Sequence, residues 1–468
     1  MRSFLRTAPD VLWVLLALPY FAAVGLGITL LTAVQCPPDR HHRAQGLALA
    51  CAAGLLVNYA LGTLLADLQW VLLAGCAIAA ISVTWAAMRR RAALSDLLGL
   101  GWIRWLLFAA LLLTAAGAIL FEPLQGWDAR SLWFFNAKRI FFGGGLRLSP
   151  DWTNPAYGFS HPDYPMLLPL LAAQFAHAWG VWNEYLPKAS LAVLLAPILL
   201  GLLGLAGRIR LSLLFLAGCL LLLTKEFLWN GYADTYLGLY AVMSMLYLAR
   251  WLGSGAALDL AAGSIFMGVA ANLKNEGSLL VVSVVASLTG FVLAFRKAGR
   301  ASPLRSFPPG VWLALVLPWI GFAAWTLTKH HWHFSNDLQL GLASFTRIQQ
   351  RLREGQIGLV ADALVRQSGA GTAAALFLGS AVLARLLRTP VPPWAWFPAT
   401  VSTLYCAGIF VVYLATPHDV AWHLKTSADR TMLLTVFGFL ASTFLVLESL
   451  ESRGPANCSM APTTGLQT

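Results

Sequence analysis

Charge is what this sequence has least of: Asp, Glu, Lys and Arg together make up 11% of its 468 residues, where a soluble globular domain carries roughly 25%. Acidic side chains are the rarer sign, 20 against 32 basic ones. So little charge cannot cover a water-facing surface, which excludes an ordinary soluble enzyme. Cysteine is thin as well. Cys36, Cys51, Cys76, Cys219, Cys406 and Cys458 are scattered without metal or redox spacing, which argues against a disulfide framework. Internal repeats and low-complexity segments do not stand out. The first apolar run, 11–31, lacks a small-residue cleavage site, and Gln35 precedes Cys36 where a lipoprotein signal wants a small residue. It reads as a retained helix.

What fills the chain instead is apolar: 58% of residues are hydrophobic and the mean hydropathy is +0.69. A helical span needs roughly 20 mostly apolar residues. Backbone groups in lipid must pair internally, so runs of this length predict an all-α polytopic bundle. They fall at 11–34, 46–66, 69–88, 103–121, 189–206, 211–224, 237–251, 258–272, 278–295, 310–328, 371–387, 395–415 and 431–448, about thirteen transmembrane helices. Residues 1–450 form one transmembrane domain. Within it, 122–188 is a first large outer loop with surface helices and 329–370 a second outer loop; 451–468 is a short polar cytoplasmic tail.

Orientation follows from the basic clusters Arg89-Arg-Arg91, Arg208-Ile-Arg210, Arg296-Lys-Ala-Gly-Arg300 and Arg385-Leu-Leu-Arg388, which share one side of this scheme. That side is expected in the cytoplasm. Lys and Arg summed over all loops divide evenly, but the outer ones sit mostly in the two long loops, where the rule has little force. The apolar segment 166–180 threatens the parity. A crossing there would turn every later basic cluster outward, so it is expected as a helix along the surface, entered through Pro162 and Pro165. The N-terminus is then outside, against a mild objection from Arg2 and Arg6. A net charge of +12 fits cationic loops against anionic lipid and gives no reason to expect nucleic acid.

The polar residues that remain gather in four outer segments. Phe121-Glu-Pro-Leu-Gln-Gly-Trp-Asp-Ala-Arg130 brings Asp128 and Arg130, and His161-Pro-Asp-Tyr-Pro165 follows with His161 and Asp163. Thr224-Lys-Glu-Phe-Leu-Trp-Asn-Gly-Tyr-Ala-Asp234 carries Asp234, and Asn272-Leu-Lys-Asn-Glu-Gly277 carries Lys274 and Glu276. The last, 416–430, carries His423 and Arg430. Each has a plainer reading. Asp128 suits a cap for a surface helix over 130–142, and Asp163 suits a turn between prolines. Lys274 and Glu276, two apart, would not face each other on a helix, though they suit loop capping. His423 and Arg430 suit interface anchors. Lys329-His-His-Trp-His333 lacks distinctive metal spacing, and Gly143-Gly-Gly145 reads as a turn after the surface helix.

Taken in order and on one side, these motifs resemble the GT-C type of integral-membrane glycosyltransferases, the group that includes protein O-mannosyltransferases and lipid A aminoarabinose transferases. The likeness runs from about residue 100 onward. It implies transfer of a sugar, with inversion, from a polyprenyl-phosphate donor to a lipid, glycan or protein acceptor at the outer face of a bacterial plasma membrane. A hydroxyl nucleophile needs a positioned base, for which Asp128 is the candidate. The departing phosphate calls for fixed cations, for which Arg130, Lys274, His423 and Arg430 are the candidates. Asp163, His161, Asp234 and Glu276 are expected to contact substrate or metal. The chain departs from the pattern in placing four spans before the acidic loop, in lacking a sizeable soluble C-terminal domain and in lacking a second Asp-x-Asp or Glu-x-Asp pair. Dependence on a divalent metal ion is therefore open. A transporter or flippase of lipid-linked glycans, or a polymerase or ligase moving a whole oligosaccharide, would use the same face.

Overall fold

A computed structural model describes residues 2–32, 40–89, 99–205, 210–298, 307–334, 336, 338 and 341–452. The tail from 453, Cys36, Cys458, Arg90, Arg91, Arg208 and Arg300 lie outside the described residues.

Every regular element among the described residues is helical. The chain runs through α1 (Arg2–Thr32), α2 (Arg40–Leu65), α3 (Leu68–Arg89), α4 (Trp102–Phe121), α5 (Phe134–Phe142), α6 (Leu167–Trp179), α7 (Ala189–Leu205), α8 (Leu211–Leu228) and α9 (Ala233–Ser254). It continues through α10 (Ala257–Ala271), α11 (Glu276–Lys297), α12 (Pro309–His331), α13 (Leu342–Arg353), α14 (Ile357–Asp362), α15 (Ala370–Leu386), α16 (Phe397–Ala415), α17 (Val420–Thr431) and α18 (Leu433–Glu451). Nine helices among the described residues are long and apolar enough to cross a membrane, or ten if the pair bent by 58° at 357–367 and 370–386 counts as one span. The remaining expected spans fall on α8, α9 and α10. The apolar stretches of α8 and α10 are short, and α9 mixes tyrosines, serine and charge into its length. The chain is thus an all-helical, multi-pass membrane protein.

Helices α2, α7, α9 and α10 are enclosed by the others, and α3, α4 and α11 form the rim. The rim turns apolar side chains outward, among them Trp70, Ile81, Trp102, Leu106, Val282 and Val285, as suits a helix whose solvent is hydrocarbon. Two glycines set the closest crossing. A Cβ on Gly25 would overlap the carbonyl oxygen of Ala50, and one on Gly54 that of Phe21, so α1 and α2 meet backbone to backbone, the small-residue packing favoured where helices associate in lipid. Gly54→Leu is expected to cost about 1–3 kcal/mol through overpacking, read as a lower unfolding midpoint in detergent. An unchanged midpoint would count against this crossing.

The central helix α9 spends its polarity on its neighbours. Tyr236, Tyr240 and Tyr247 donate to the carbonyl oxygens of Leu228, Leu194 and Gly201 at 2.8–2.9 Å, and Ser244 to that of Gly263 at 2.9 Å. Buried hydroxyls need such partners. At the end of the bundle away from the large loops, Arg250 pairs with Glu448 at 3.2 Å, Asp259 accepts from Gln45 at 2.7 Å, and Glu451 holds the start of α8 through Ser212.

The first large loop differs from expectation in one respect. Helix α6 does not present a face along the surface: Leu167 to Ala176 are all buried. A helix apolar all round is stable only when enclosed, and α6 packs against α2, α3, α5 and α7. The stretch expected as a second outer loop, 329–370, contains α13, α14 and a π-helical turn at Ala363–Gln367.

Candidate active site

The helix directions bring the end of α4, the starts of α9 and α11 and the end of α17 together at one end of the bundle. Five charged side chains meet there in a row. Arg430 lies 2.6 Å from Asp128 and 3.6 Å from Asp234, and Lys274 lies 2.7 Å from Asp234 and 2.9 Å from Glu276. Asp234 and Glu276 occupy the first turns of α9 and α11, and Arg430 the last turn of α17, each sign at the helix end whose dipole favours it. Asp234 is 3% exposed and Lys274 8% at the side chain. Burial opposes a charge on Lys274, but Asp234 and Glu276 prevail and hold its pKa well above the usual lysine value. Three carboxylates answer two cations, so the row carries one net negative charge.

Aromatic rings wall the row. The Arg430 guanidinium sits 4.6 Å from the Tyr232 ring centroid and donates through its second terminal nitrogen to the Thr426 carbonyl at 2.9 Å. Tyr164 lies 6.0 Å from the Lys274 ammonium and stacks between Trp133 and His161, at 5.6 and 5.1 Å. His161 takes a left-handed conformation, φ 46°, which turns the chain into Pro162 and sets Asp163 inward. Asp163 is 3% exposed; Asn275 and Asn336 donate to the same carboxylate oxygen at 2.7 and 2.9 Å. It lines a cavity of about 620 Å³ with Lys329, His330 and His333.

The structure therefore joins Asp128, Asp234, Lys274, Glu276 and Arg430 directly, and attaches Asp163 and His161 through Asn275 and Tyr164. Two expected members stand apart. Arg130 is exposed and lines a separate cavity of about 520 Å³ with Lys138 and Lys188; residues two apart on a helical turn point to different sides. His423 bonds Thr416 at 3.0 Å and packs on Tyr413, outside the row. Two plainer readings are also corrected. Lys274 and Glu276 do pair, because Lys274 lies in the loop before α11, where helical spacing does not apply. Asp128 makes no side-chain cap; it lies within the helical turn that continues into the π-helical turn at Ala129–Trp133. Sequence reasoning missed Asn336, Tyr232 and Tyr405. Tyr405 is fully buried, its hydroxyl without a hydrogen-bond partner among the described residues, and no motif marked it.

Chemically, the row offers acceptors. One oxygen of Asp234 and one of Glu276 are buried with no hydrogen-bond donor among the described residues. Among the described residues no group of three or more His, Cys, Asp or Glu gathers with metal-holding geometry. Comparisons with protein-family models, with curated proteins and with solved structures find no match to this chain.

Proposed function

We propose that the chain is a GT-C-like glycosyltransferase of thirteen spans, set in a bacterial plasma membrane with the charged row facing outward. It moves a sugar from a polyprenyl-phosphate donor to an acceptor hydroxyl, with inversion. The observation that supports this reading most is the Asp128–Arg430 pair at 2.6 Å, which joins a candidate base to a candidate phosphate ligand. As it stands the row is no anion site, because each cation is already paired. Arriving donor phosphate exchanges with Asp128 on Arg430, a cation whose planar fork suits phosphate. The exchange holds the leaving group and frees the base in one movement.

The acceptor hydroxyl then gives its proton to Asp128 while its oxygen bonds the anomeric carbon. The bond from that carbon to the phosphate oxygen breaks, and its electron pair leaves on polyprenyl phosphate. Arg430 meets the charge growing on that oxygen, which lowers the barrier more than it stabilises the bound donor. On this reading Asp234, whose second oxygen faces Arg430 at 3.6 Å, and Glu276, whose second oxygen has no hydrogen-bond donor among the described residues, accept from sugar hydroxyls once donor phosphate draws Arg430 away.

A flippase is the second reading, favoured by the 58° bend between 357–367 and α15, since broken helices mark transport sites. Proteoliposomes holding a polyprenyl-phosphate donor labelled in its sugar, with a membrane lipid extract as acceptor, separate the two. Transfer moves label into a product and accumulates free polyprenyl phosphate. Label that crosses the bilayer on intact donor, without product, overturns the transferase reading. The mass added to the product distinguishes a single sugar from a whole oligosaccharide.

A further inference from the structure

Away from the charged row, Arg139 in the last turn of α5 holds an unusual position. Its guanidinium lies 3.8 Å from the ring of Trp152 and 5.2 Å from that of Tyr157. Both terminal nitrogens are buried, and among the described residues neither has a hydrogen-bond partner. Ring faces satisfy the flat side of a guanidinium. They leave its edge, a fork of N–H donors shaped for a carboxylate or phosphate, unanswered, and a buried donor in that state is costly. Asp151 and Tyr157 only partly offset the burial that lowers the Arg139 pKa.

The Arg139 side chain also lines a cavity of about 420 Å³ with Ser149, Asp151, Tyr157 and Arg147, the last already paired with Asp67, a size within the roughly 300–1,000 Å³ of small-ligand sites. Its lining asks three things of an occupant: an anionic group for Arg139, hydroxyl donors for Asp151 and Ser149, and a C–H face for Tyr157, which is 37% exposed. An acidic saccharide has all three.

We propose that this cavity binds a saccharide bearing a carboxylate, with the carboxylate on the Arg139 fork. It goes beyond the transferase reading, and because binding needs no turnover, either can fail without the other.

The test is binding of methyl glucuronide and methyl glucoside to the full chain in lipid nanodiscs, followed by saturation-transfer NMR, with inorganic phosphate, which has no C–H proton to observe, read as a competitor of the glucuronide signal. The glucuronide is expected to bind about tenfold or more tightly than the neutral glucoside and more tightly than phosphate. Arg139→Lys, which keeps the charge and loses the fork, is expected to remove about tenfold of the glucuronide affinity without moving the unfolding midpoint. Equal binding of the two sugars, phosphate binding as tightly as the glucuronide, or an Arg139→Lys chain that binds like the parent would each overturn the assignment. Tyr157→Ala serves if Arg139→Lys does not fold. It should weaken both sugars to a similar degree, and no change in either overturns the site.

Discussion

A Lys274→Met chain is expected to lose about 3–5 kcal/mol of stability, the cost of stranding a buried charge by removing its partner. Methionine fills nearly the same volume, so packing changes little. What changes is the charge balance: Asp128, Asp234 and Glu276 are left with Arg430 alone, which stands 3.6 Å from Asp234. Asp234→Asn should cost much less, since it leaves two complete pairs, Asp128 with Arg430 and Lys274 with Glu276. The double variant Lys274→Met/Asp234→Asn should recover part of the loss, because the stranded carboxylate is gone. Unfolding midpoints in detergent for the three variants check this ordering. A Lys274→Met chain as stable as the parent would mean that the row contributes nothing to the fold.

Asp128→Asn is expected to lower sugar transfer by about 10²–10⁴-fold, the usual contribution of a positioned base, while the protein stays folded. Asparagine keeps a carbonyl oxygen that accepts from Arg430, so the contact between α17 and the loop after α4 survives. It cannot take a proton at neutral pH. The proteoliposome assay gives the rate, and an unmoved unfolding midpoint shows that the loss is chemical. Turnover at the parental rate would remove Asp128 as the base.

The membrane character and the helix positions were legible because apolar runs have one physical use at this length. The sharpest departure is α6, whose apolar residues were expected along the surface and are enclosed in protein instead. The gathering of Asp234, Lys274 and Glu276 was legible as common loop position, since each stands at or just before the start of a helix at the same end of the bundle. Pairings were not. Arg430 reaches Asp128 across 302 residues, and local spacing carries no information about such a contact. Spacing also misled twice: Arg130, close to Asp128 in sequence, turns into another cavity, and Lys274 meets Glu276 because it stands outside the helix. The sequence marks Arg139 only by its place in the expected surface helix over 130–142. Its stacking depends on Trp152 and Tyr157, whose place against α5 is set by the turns between them.

The hydroxyls along α9 have a mechanical consequence. One end of this helix is held through Asp234 and the other through Arg250, with Tyr236, Tyr240, Ser244 and Tyr247 fastened between them. A turn of a single residue about its axis, about 100°, would undo all of these contacts at once. The helix therefore acts as a fixed axle. On the transferase reading, the exchange of Asp128 for donor phosphate on Arg430 is then expected to move α17 and the 272–275 loop rather than α9, with Asp234 keeping its place.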